Sequence, residues 1–150
     1  MHSAAVALAL LTIATNAIAA LLGGWAWQRF SGSRAFWIAL RAGQAAAVAQ
    51  AAFAGIAAAS GARPDDGLYW LYAALPVATG FLAEQLRTVA AQTELEHRGL
   101  PDAQAVAVLP EAEQRRLVRA ILQRELGIMA IAAAVACFLA LRALGTSAGL

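Results

Sequence analysis

Four apolar stretches divide the chain, each long enough to be read as a membrane-crossing helix. The first covers residues 3–27 and ends in Trp25 and Trp27, followed by Gln28 and Arg29, an interfacial pattern. It lacks a positive segment ahead of it and is too long for a signal peptide, so it is taken as a span. The second covers residues 35–60 and is closed by Gly61, Ala62, Arg63 and Pro64. The third, residues 68–88, opens on Tyr69, Trp70 and Tyr72 and leaves the apolar region at Arg87. The fourth, residues 122–144, has an uncharged core from Leu126 to Leu141, closed by Arg142 and Gly145. That core measures only ~24 Å at 1.5 Å per residue. The helix must therefore start earlier, with Arg124 and Arg119 reaching back to the head groups.

Between the third and fourth stretches the pattern stays helical. The third helix continues through Glu94 and Glu96, His97 and Arg98 complement its C-terminal dipole, and Gly99 supplies the stop. Two echoes follow, Leu100-Pro101-Asp102-Ala103-Gln104 and Leu109-Pro110-Glu111-Ala112-Glu113. Each places Pro at a first helical position with acid in the first turn. From Pro110 one face carries Leu117, Val118, Ile121 and Leu122, the other Arg115, Arg116, Arg119 and Gln123. The expected fold is all-α: a single integral membrane domain over residues 1–150. It is an up-and-down four-helix transmembrane bundle, with helices 3 and 4 extended into a cytoplasmic helical hairpin over residues 88–122.

Composition agrees with that class. The chain is 61% hydrophobic and 13% charged, against about 45–50% and about 25% in soluble domains. All 11 basic residues are Arg, and with abundant Ala this is the usage of a GC-rich bacterial genome, which points to a bacterial cytoplasmic membrane. Arg29, Arg34, Arg41, Arg87, Arg98, Arg115, Arg116, Arg119 and Arg124 belong to one side of the spans, and only Arg63 and Arg142 to the other. The positive-inside rule then puts both Arg-rich segments in the cytoplasm and both termini outside. Anionic lipid head groups are the expected partners of Arg115, Arg116, Arg119 and Arg124. No basic patch is interleaved with aromatics, so nucleic acid is not an expected partner.

Within the membrane, the second stretch repeats a small residue every four positions: Ala35, Ala39, Gly43, Ala47, Ala51, Gly55 and Ala59. Small residues at this spacing let helix backbones approach where lipid removes the hydrophobic drive to associate. Gly43, Ala47, Ala51 and Gly55 are thus expected packing positions, with Asn16 of the first helix as an inter-helix hydrogen-bonding partner. Polar groups at depth are candidate sites, since leaving them unpaired in hydrocarbon is costly. Trp37, Arg41 and Gln44 share one face of helix 2, while Pro76, Gly80 and Glu84 align at i+4 steps on helix 3. Pro76 removes the bond to the Tyr72 carbonyl and favours a kink, with Gly80 beside it. Arg41 and Glu84 lie at matching depth, so a buried pair between them is one expectation. The other is a local Glu84–Arg87 pair with Arg41 at the surface.

The remaining chemistry is sparse. Cys137 is the single cysteine, so no internal disulfide or dithiol centre is available. His2 and His97 belong to opposite faces, more than the ~30 Å hydrocarbon core apart, and do not ligate one haem. No catalytic residue, metal site or cofactor is expected. The expected function is a non-enzymatic accessory or scaffold protein, self-associating or a subunit of a larger membrane assembly. The alternative is a small transporter or lipid/quinone-binding protein that uses Arg41, Gln44 and Glu84 in a polar cavity between helices 2 and 3.

The arginine asymmetry makes a topology prediction. In a Cys137→Ala background, a membrane-impermeant thiol reagent added to intact cells should label Asp66→Cys and leave Gln104→Cys unlabelled until the membrane is opened. The reverse pattern inverts the orientation.

Overall fold

Ser33 separates the first two apolar stretches and then caps the second. Its hydroxyl accepts the Phe36 amide at 3.1 Å, satisfying one of the free N–H groups of the new helix. The next helix start has Gly67 at its N-cap without a side-chain cap, and Asp66 Oδ1, one position earlier, accepts the Leu68 amide at 2.9 Å. In the computed structural model, which describes residues 1–101 and 103–150, these starts give α1 (His2–Gln28), α2 (Arg34–Ala59), α3 (Leu68–His97), α4 (Ala103–Ala107) and α5 (Glu111–Gly145). The described residues contain no strand. Gly99 ends α3 at φ +65°, with its amide and that of Leu100 bonded back to Glu96 and Leu95. Pro110 occupies the N-cap of α5 rather than its first helical position, with Glu111 and Glu113 in the first turn. Asp102, the acid of the first echo, lies outside the described residues.

Three helices, α1, α2 and α5, are long and apolar enough to cross a membrane. α3 falls outside that set, since Tyr69, Trp70, Tyr72, Pro76, Glu84 and Gln85 dilute its apolar content. α5 runs unbroken for 35 residues, or ~52 Å, well beyond a ~30 Å hydrocarbon core.

α1 and α3 each pack against both α2 and α5. The interior is made mostly of methyl groups: Ala19, Ala26, Ala57, Ala73 and Ala140 are fully enclosed, with Phe36, Leu40, Leu126 and Met129 as the larger fillers. The bulk faces outward. Leu21 is 75% exposed, Phe81 65% and Phe138 60%. Soluble monomers avoid contiguous apolar surface of this kind, whereas helices that meet in lipid put small residues at their contacts.

Close approach is tightest where glycine stands. A Cβ on Gly43 would lie 2.8 Å from Asn16 Oδ1, and one on Gly23 would lie 2.6 Å from the Phe36 ring. Asn16 uses this proximity, donating to the Gly43 carbonyl at 3.3 Å and to the Thr12 carbonyl at 2.9 Å. The four-residue stripe does not hold one environment: Gly43 and Ala47 are buried, Ala51 is half-buried, and Ala35, Gly55 and Ala59 are exposed. Within the single chain, nothing lies within 4 Å of a Cβ built on Gly55. Four residues turn the helix by more than a full turn, so the stripe enters the core near Gly43 and rotates out of it by Gly55.

That difference is measurable. Gly43→Leu should destabilise the fold by about 1–3 kcal/mol, the usual cost of forcing bulk into a packed contact. Gly55→Leu should leave monomer stability unchanged. Thermal melts in neutral detergent that place both variants at the wild-type value would show that the Asn16–Gly43 contact is looser than its geometry.

Candidate functional site: the polar seam between α2 and α3

α2 presents Trp37, Arg41 and Gln44 on one face because they are spaced at roughly one turn. α3 places Glu84 and Arg87 opposite them. Arg41 Nη1 donates to Glu84 Oε1 and to Gln44 Oε1, each at 2.7 Å. Gln44 Nε2 donates to the same Glu84 oxygen at 3.2 Å. The other carboxylate oxygen, Oε2, faces Arg87 Nε at 3.4 Å. Arg87 also lies over the Trp37 ring, 5.5 Å from its centroid. Glu84 thus meets both arginines at once, and the two sequence expectations are not exclusive.

The pair is not buried. The Arg41 side chain is 54% exposed and that of Glu84 26%, so the cluster sits on the outer edge of the α2–α3 seam. Arg41 is seven residues from the start of α2, close enough to the helix end for its guanidinium to reach head groups while its stem stays apolar. Two arginines against one carboxylate leave a net positive charge, and among the described residues Arg41 bonds through Nη1 alone.

Two spaces adjoin the cluster. Inside, Asn16, Gly43, Gln44, Pro76 and Gly80 border a void of about 10 Å³, at the lower limit for one water molecule. Outside, a groove of about 230 Å³ runs along the seam between Val48, Pro76, Val77 and Phe81, with Gln44 and Glu84 at its polar end. Gly80 borders this groove, and a Cβ there would meet Gln44 at an ordinary 3.9 Å. α3 continues through Pro76, which is itself buried. The groove is smaller than the ~300–1,000 Å³ of pockets that enclose small ligands, and it opens laterally.

Other polar positions fall elsewhere. Asn16 ties α1 to α2 and does not touch the cluster. Gln50 is enclosed with its Oε1 unpartnered among the described residues, as is the Tyr69 hydroxyl. His2 binds the Ser147 carbonyl at 3.1 Å, and Asp65 N donates to Ala148 O at 2.9 Å, so the N-terminus, the α2–α3 loop and the C-terminal tail share one end. Periodicity could not show the Trp37–Arg87 contact, because nothing in either helix alone fixes their register. The positive-face spacing of Arg87 with Glu84 was the only signal available.

Exposure sets the expected energetics. Arg41→Gln and Glu84→Gln should show a coupling of about 0.5–1 kcal/mol in a double-mutant cycle, the range of exposed pairs. Glu84→Gln should be the costlier single change, since it also releases Arg87. A coupling of several kcal/mol in detergent melts would contradict the lateral placement.

No protein-family model, curated protein or solved structure matches this chain, so what the cluster does has to follow from its own geometry.

Proposed function

We propose that the protein is a non-enzymatic, four-helix integral membrane accessory or scaffold protein that assembles through α2, with itself or with a partner subunit. The observation that carries this reading is the outward face of α2. Ile38, Ala42, Ala45, Ala49, Ala52, Ile56 and Ala59 are all exposed and follow alternating steps of four and three. That spacing stays on one side of a helix and forms a seam. The outward faces of the other long helices carry bulk instead: Leu10, Leu11 and Leu21 on α1, Phe81, Leu82 and Leu86 on α3, Ile131 and Phe138 on α5. Alanine gains little from lipid contact, but it lets another backbone approach closely.

α3 is the fourth span in this reading. It packs between α2 and α5 and exposes Leu71, Phe81, Leu82 and Leu86 in the manner of its neighbours. The ends of α3 and α5 then project as the helical hairpin, supported by an Arg124–Glu94 approach of 3.8 Å. A bacterial inner membrane, with the Arg-rich end in the cytoplasm and both termini outside, is the placement the arginine distribution supports.

A second reading is favoured by the seam groove, whose apolar wall and Arg41/Gln44/Glu84 end suit an acyl chain or quinone lying against the surface. The near-closed interior, with a void of about 10 Å³ beside Gln44, speaks against an aqueous transport path through it.

The assembly reading is tested on the α2 face. In a Cys137→Ala background, Ala49→Cys should crosslink to a second copy or to a co-purifying subunit in native membranes, whereas Leu21→Cys on the outer face of α1 should not. Ala45→Leu with Ala49→Leu should shift the purified particle to a smaller mass. A protein that purifies as a lone monomer in mild detergent, with no crosslink at position 49, defeats the proposal.

A further inference from the structure

We infer that the cleft between the α1–α2 turn and α5 is a binding site for the phosphate head group of an anionic phospholipid. The cleft has a volume of about 370 Å³, which lies within the range of ligand pockets. It is built from two sequence-distant segments. The turn contributes Phe30, held at φ +53°, and Ser31. α5 contributes Arg115 and Arg119, one turn apart, and then Leu122 and Leu126 farther along the same strip.

The order of these side chains matches a lipid. From Arg115 to Leu126 the strip is ~16 Å long, cationic at one end and apolar at the other. Phosphate chemistry suits the cationic end, which Arg115, Arg119 and Ser31 line together. Arg119 makes no ion pair among the described residues, so its charge is available. Arg115 is shared with Glu111 at 2.5 Å, its one carboxylate partner among the described residues. Leu122 and Leu126 then offer a wall for the glycerol and upper acyl carbons. Trp25, with Arg29 over its ring at 4.6 Å, and Trp27 stand at the same end, as interfacial tryptophans do.

This inference goes beyond general attraction of the Arg-rich end to acidic lipid, because it assigns the contact to one cleft with two walls. It rests on the reading of the chain as membrane-spanning. Release of the protein from membranes by alkaline carbonate would defeat that reading, while firm insertion leaves the site to be judged by itself.

The test uses the full-length protein in neutral detergent, titrated with short-chain phosphatidylglycerol, phosphatidylcholine or inorganic phosphate and followed by native mass spectrometry. Phosphatidylglycerol should be retained over phosphatidylcholine. Arg119→Gln and Ser31→Glu should each weaken it by about tenfold, the scale of one lost charge-assisted hydrogen bond. Arg116→Gln, on the neighbouring face of α5, should not. Ser31→Glu is the decisive variant, since it changes the opposite wall and leaves every arginine in place. Equal weakening by Arg116→Gln would mean diffuse attraction, an inert Ser31→Glu would empty the cleft of any role, and inorganic phosphate competing at the lipid's own concentration would make it a free-anion site. Each of these results overturns the inference.

Discussion

The contact between Asn16 and Gly43 sets the terms for the rest of the molecule. Where lipid surrounds helices, burying apolar surface between them gains nothing over burying it in acyl chains, so association depends on close packing and inter-helix hydrogen bonds. Glycine at position 43 lets α1 come close enough for the Asn16 amide to reach the Gly43 carbonyl. Gly23 against Phe36, and Gly127 against the Trp27 ring, repeat the device toward the other end. Where the backbones are this close mostly methyl groups fit between them, with Phe36, Leu40, Leu126 and Met129 filling the wider gaps, and most of the remaining bulk faces outward.

α2 is the exception that follows from this constraint. Its buried side carries Gly43, which meets Asn16 of α1, with Ala46 and Ala47, and its outer face is also small, at Ala42, Ala45, Ala49 and Ala52. A helix with methyl groups on both sides is suited to contacts on both sides. Its third side, toward α3, is held by polar groups: Glu84 receives Arg41 and Gln44 from α2 while Arg87 crosses to Trp37. The α2–α3 seam therefore relies on directional bonds, and directional bonds do not fill space, which leaves the groove beside them.

The all-helical class and the three apolar spans were legible in composition and run length, and the stops at Gly61 and Gly99 were legible because both take positive φ. The Asn16 contact was readable in outline, since a lone amide in an apolar helix needs a partner. The failures have one cause. Sequence spacing fixes a face of a helix but not what stands opposite it. A strict four-residue repeat winds around the helix because a turn takes only about 3.6 residues, so Gly43 lies in the core and Gly55 on the outer surface. Spacing alone does not say at which turn the repeat enters or leaves the core. Matching depth brought Arg41 and Glu84 together correctly in height, but depth says nothing of radius, and the pair lies at the edge rather than within. The cleft at Ser31 and Arg119 was beyond reach, because it depends on how the turn folds back onto α5.

The two features of α2 lie side by side. Val48 forms part of the groove wall, and Ala45, Ala49 and Ala52 stand next to it on the helix surface. These alanines lie on the far side of Val48 from Gln44 and Ala47, so the alanine face and the groove are neighbouring but separate surfaces of the same helix. Arg41 lies at this same edge, 54% exposed beside its bond to Glu84, so a partner helix that reached it would lower the local dielectric around the pair and strengthen their attraction.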